Sequence, residues 1–222
     1  MSSDHLVDNY PAIRDTNEKT RLHTSTISSS KHWADFHNFK TPFPEEWKDS
    51  FDCIQLRAIL ANVPGDAAID LVKRAMELLR PGGYIQIVDG SMSAGELKGD
   101  EKPHIRFFTS LANYLILNGL NNSQGARVGE ILDVAGDGVL EDVETKEGKM
   151  LFGKGAGEME DASWQWLRFM LEVQAGPAML KAGVFASKEG LDTLRLEVME
   201  EAQTEGFSMP WHAAWGRKTS VG

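Results

Sequence analysis

The stretch FDCIQLRAILANVPGDAAIDLVKRAMELLRPGGYIQIVDG, Phe51 to Gly90, decides the fold. FDCIQLR is a short, nearly continuous apolar run, the pattern of a strand covered on both faces. DAAIDLVKRAMELLRPGG follows as a helix, with Asp66 placed to cap it. Ile69, Val72, Ala75, Met76 and Leu79 recur at three- and four-residue spacing, and Pro81-Gly82-Gly83 is a stop signal. YIQIVDG is then a second buried strand. Strand, helix and strand joined by short connections predict a parallel pair with a right-handed crossover.

C-terminal to this unit, HIRFFTSLANYLILNGL predicts an amphipathic helix started by Pro103, and RVGEILDVAGDGV a shorter one ended by glycines. LEDVETKEGKMLFG reads as a strand with a polar face. Residues 161–186 predict a helix broken at Gly176-Pro177, because proline removes a ladder hydrogen bond. EGLDTLRLEVMEEAQTEG is a further helix and FSMPWHAAWGRK a closing strand. No internal repeat is present. N-terminal to the unit, residues 1–31 are polar and Ser/Thr-rich and read as an arm, with a helical turn at NEKTRL. Residues 32–50 read as an ordered loop with a short strand near 34–37. The division is therefore an arm and loop over 1–50 and a domain over 51–222, with a helical lid over about 155–190.

Composition narrows the function classes. The 222 residues suffice for one ordinary domain, and 41% hydrophobic content builds a core. A net charge of -10 argues against nucleic acid, which needs a basic face, and against an anionic membrane surface. The N-terminus lacks the basic and apolar regions of a signal peptide, and LANYLILNGL is too short for a bilayer span, so a cytoplasmic protein is expected. Cys53, the single cysteine, reads as a buried small hydrophobe.

FDCIQLR followed by LLRPGGYIQIVDG and a final WGRK resembles the C-terminal half of class I SAM-dependent methyltransferases, above all the methyltransferase-like proteins of fungal secondary metabolism. Phe51-Asp52 to Arg57, Leu79 to Tyr84, Asp89 in place of the usual Glu, and Trp215 to Lys218 carry the resemblance. TPFPEEWKDSFD and Asn17 to Leu22 also match that pattern. It implies an α/β, Rossmann-like methyltransferase fold with a reduced, mostly parallel sheet and extra helices as a lid. Such proteins carry an acidic-Gly-x-Gly-x-Gly turn between the NExxRL helix and the TPFPEEW loop. Here only HTSTISSSKH, residues 23–32, separates the two. The half of the fold that binds SAM is therefore expected to be missing, and no residue is assigned to a cofactor. The GKGAG run, Gly153 to Gly157, has glycine spacing but follows a late strand and precedes EMEDASW, so it reads as a substrate-side loop.

In that topology the absent first strand lies beside FDCIQLR, so the 51–57 strand becomes an exposed edge. A homodimer covering this edge is the first expectation. The 1–50 arm and a full-length methyltransferase partner are the other candidates.

The strand ends would carry Arg57 and Asp89. Asp89 is either a base or a structural strand-end group, and Arg57 either stabilises an enolate-like charge or forms an ion pair. His104 opens the helix after the second strand, where members of the resembled family line the substrate pocket, and is the candidate general base. These three are the candidate catalytic residues. Trp164, Phe169, Met170, Phe107 and His212 are the candidate substrate contacts, read against a core-packing alternative. Trp211 and His212 alternate faces, so at most one would face a pocket. The six histidines show no metal-ligand spacing, so no metal is expected.

Three functions follow. The first is a cofactor-independent cyclase, pericyclase or isomerase on a hydrophobic natural-product intermediate, which some relatives of the resembled family are known to be. The second is a non-catalytic pseudo-methyltransferase subunit. The third is a SAM-dependent O-methyltransferase whose cofactor site is completed by a dimer mate or partner.

Overall fold

The computed structural model describes residues 41–65, 67–92 and 102–220. The Asp66 cap, the NEKTRL turn and the strand near 34–37 lie outside them. Within them the chain is α/β, with β1 (Phe51–Arg57), α1 (Ala67–Glu77), β2 (Leu79–Gly90) and α2 (Pro103–Leu117) in order. Then come α3 (Val128–Gly136), β3 (Leu140–Phe152), α4 (Glu160–Phe169), α5 (Ala175–Lys181), α6 (Lys188–Thr204) and β4 (Phe207–Lys218).

The sheet order is β1-β2-β4-β3. β1 and β2 are parallel, as a strand–helix–strand unit requires, with Ile54 opposite Ile85 and Arg57 opposite Val88. β4 runs antiparallel to both β2 and β3, so the sheet is mixed where a mostly parallel one was expected. The carboxyl ends of β1 and β2, the start of β4 and the end of β3 therefore lie at one end of the sheet.

Two apolar layers cover the sheet. Val88, Trp211, Ala213 and Phe152 face one layer with Phe107, Phe108, Leu167 and Val198, which come from α2, α4 and α6. Ile85, Ile87 and Ala214 face the other with Leu71, Val72, Ile131 and Leu132, which come from α1 and α3. The period-2 alternation of the strands and the helical spacing of α1 to α3 meet in these layers.

Three local expectations are corrected. The first helix ends at Glu77, and Leu79 to Gly83 already belong to β2. The stop falls before Pro81 because Leu79, with no exposed surface, packs as a strand residue opposite Phe51. The helix expected to break at Gly176-Pro177 widens instead into a π-helical turn at Met170–Gln174 and runs on through α5. Pro177 cannot donate to Val173 and its ring crowds that carbonyl, and the wider turn one step earlier absorbs both effects. Cys53, read as buried, is exposed, because β1 ends the sheet among the described residues.

Candidate functional site

At the carboxyl end of the sheet, β2 finishes in Asp89, which is almost fully buried. One carboxylate oxygen accepts the backbone N–H of Leu60 at 2.8 Å and the other that of Gly90 at 2.9 Å. Burial pushes the carboxyl up to about 6, against the lowering effect of backbone N–H groups from Leu60, Gly90 and Ile59. Asp89 thus clamps the loop that leaves β1, where Ala58 adopts a positive φ and donates to Val88 O. Arg57 lies opposite Val88, one residue short of Asp89.

Across the sheet, Asp89 pairs with His212 and His212 with Glu147. His212 is buried, with Nδ1 3.9 Å from a carboxylate oxygen of the exposed Glu147. By strand alternation it shares the face of Ala214, under α1 and α3. Trp164, Met170 and Phe107 belong to the opposite layer. The five candidate substrate contacts are therefore divided between the two faces of the sheet. Within their layer, Phe107 is fully buried in edge-to-face contact with Phe108, while Phe169 is 49% exposed beside the π-turn.

His104 sits in the first turn of α2, behind Pro103 at the helix start. Its ring stacks on Phe207 at 4.4 Å with planes 4° apart, and Phe207 stacks in turn on Phe152. Nδ1 lies 2.8 Å from Glu201 Oε1, and the backbone N–H of His104 donates to Glu201 Oε2 at 2.9 Å. Glu201 is buried near the end of α6, and Lys102 Nζ approaches it at 3.8 Å. The sequence does not single out Glu201. It stands in the run EVMEEAQTE, where nothing marks one glutamate of a charged helix as the inward one. Its spacing from the buried Leu194 and Val198 on the same helix face is the signal that could have found it.

Asp89, Arg57 and His104 share one end of the sheet but do not form one hydrogen-bonded cluster. Asp89 binds the β1 loop, and His104 binds Glu201. The GKGAG run packs on α6: a Cβ on Gly153 would lie 2.1 Å from Ala202 O, and Lys154 N–H donates to that oxygen at 2.8 Å. The N–H groups of Gly153, Lys154 and Ala156 are bonded within the protein itself, to Ser163 Oγ, Ala202 O and Gly153 O. Among the described residues no group of three potential metal ligands occurs, and no helix is long and apolar enough to cross a membrane.

No family model matches the chain. The N-methyltransferase gliN of Aspergillus fumigatus is 27% identical over 217 residues, covering 94% of this chain and 70% of its own length. The N-methyltransferase sirN of Leptosphaeria maculans is 26% identical over 184 residues, covering 81% and 63%. The curated relatives are methyltransferases. Two more fungal relatives carry that name as well. The chain spans 63% to 70% of the length of these four proteins. Among solved structures, a putative sarcosine dimethylglycine methyltransferase from Galdieria sulphuraria is 15% identical, covering 84% of this chain and 59% of its own, with a TM-score of 0.41.

These relatives overturn the expectation of a cofactor-independent cyclase, pericyclase or isomerase, and with it the expectation that no cofactor is used. SAM-dependent methyl transfer, the alternative, agrees with them better. The described residues alone do not fit SAM. They contribute the loop after β1, pinned by Asp89, and no glycine turn opening a helix beside β1 is among them.

Proposed function

We propose that this chain takes part in SAM-dependent methylation of a small natural product, with nitrogen rather than oxygen as the acceptor. The match over 94% of the chain to a protein named an N-methyltransferase carries this reading. The cofactor site is completed outside the described residues. The β1 edge is where that completion joins, and a second copy of the chain is the proposed occupant.

The two edges of the sheet support this placement. β3 exposes Glu141, Asp142, Glu144, Glu147 and Lys149 and is interrupted by a bulge between Glu141 and Glu144, which are devices that keep an edge from pairing. β1 has charges only at Asp52 and Arg57, with Cys53 to Leu56 between them.

Acceptor activation falls to His104, with Asp89 and Arg57 shaping the loop nearby. The test is incubation of the chain with methyl-labelled SAM and an organic extract of a fungal culture. Label in a small-molecule product with a new N-methyl group supports the reading. Label confined to unreacted SAM contradicts it.

A further inference from the structure

One carboxylate, that of Glu201, accepts from both the backbone N–H and the ring of the same residue, His104. A carboxylate has no proton to give, so the ring hydrogen of this pair sits on Nδ1, and in the neutral ring Nε2 then carries the lone pair. Phe207 covers one face of the ring and Glu201 holds its Nδ1 edge. Among the described residues Nε2 has no hydrogen-bond partner. A buried carboxylate–imidazole pair is also a poor stability device, since the cost of desolvating it offsets most of the attraction. The arrangement is better suited to fixing a tautomer.

We propose that Glu201 is a positioning residue that locks His104 with Nε2 free to take a proton from an acceptor N–H of the substrate. In that step the N–H bond breaks, its proton forms a bond to Nε2, and its electron pair stays on nitrogen as the nucleophile. This deepens the proposed function and rests on it.

Glu201→Gln is nearly isosteric yet offers one acceptor oxygen to two donors. The backbone N–H is fixed by the helix, whereas the ring can exchange its hydrogen between nitrogens. The amide oxygen therefore goes to the backbone and the amide NH2 to Nδ1, which moves the ring hydrogen to Nε2.

Nitrogen-15 NMR of the histidine-labelled full chain reads this without substrate. The wild type is expected to show His104 protonated at Nδ1 and bare at Nε2, and Glu201→Gln the reverse. A wild-type ring protonated at Nε2 overturns the proposal, and that spectrum needs no variant to fold. With the fungal extract and labelled SAM, Glu201→Gln is expected to lose about a hundredfold in the rate of label transfer at saturating SAM with the KM for SAM held, the scale of a general base. A variant that turns over at the wild-type rate with its tautomer reversed overturns the positioning role and leaves the proposed function standing. A wild type that transfers no methyl group overturns the function reading and the proton transfer that rests on it.

Discussion

Asp89 Oδ2 accepts the backbone N–H of Leu60 at 2.8 Å, so the end of one strand holds the loop that leaves its neighbour. Leu60 has no exposed surface and belongs to the layer beneath α1 and α3. The clamp therefore joins the carboxyl end of the sheet to its core.

That clamp predicts a pH signature. The folded-state pKa of Asp89 is raised to about 6 from an ordinary 3.8, with burial the main cause. The folded protein then holds the proton more tightly than the unfolded chain does. The contribution is full below about pH 4 and is lost as pH rises to about 6, a difference on the order of 3 kcal/mol. Urea unfolding of the wild type and Asp89→Asn at pH 4, 5, 6 and 7 checks this. The stability gap between them should shift across that window and be flat above it.

Gly125 meets the end of β2 so closely that a Cβ would lie 2.1 Å from Gly90 O and 2.8 Å from Ser91 N. Backbone on both sides leaves nothing flexible to yield. Gly125→Ala should cost about 2–3 kcal/mol through forced displacement. Thermal unfolding would show this as a fall in Tm, with Gly190→Ala, where a Cβ meets nothing closer than 3.8 Å, as the comparison.

Gly176 lies in α5 just past the π-turn, where a Cβ would stand 2.0 Å from Leu171 O. Gly176→Ala should destabilise the Glu160–Lys181 helical run and raise amide exchange there. Pro177→Ala returns a donor for Val173 O and should reduce exchange across Met170–Gln174. Hydrogen exchange with mass spectrometry distinguishes the two.

The β1 edge yields a prediction about assembly. Cys53 is exposed on it, so a charge can be placed there without entering the core. If a second copy covers this edge, the wild type should run at twice 24.6 kDa by light scattering, and Cys53→Lys should run at the single-chain mass. Equal masses for the two proteins would contradict the edge as the interface.

The sequence made the elements legible wherever the apolar period was clean. FDCIQLR, HIRFFTSLANYLILNGL and FSMPWHAAWGRK each correspond to an element of the structure, with ends within a few residues. The ends went astray where tertiary packing overrode a local signal, as when Leu79 left the helix for the strand. The turn at Met170–Gln174 was hidden because a proline fixes that the ladder must change, not where the change is absorbed. At the site, His104 could be named from its place at a helix start. Its partner Glu201 lies 97 residues away and is brought to it only by the packing of α6 on α2. That Trp211 and His212 take opposite faces followed from strand parity, but that His212 lies on the face away from the lid aromatics required the fold.

Titration calorimetry of the full chain with SAM and with its demethylated product tests the central claim most directly. Micromolar binding of both is expected, at a site completed outside the described residues. No heat at millimolar ligand would contradict SAM-dependent methyl transfer by this chain.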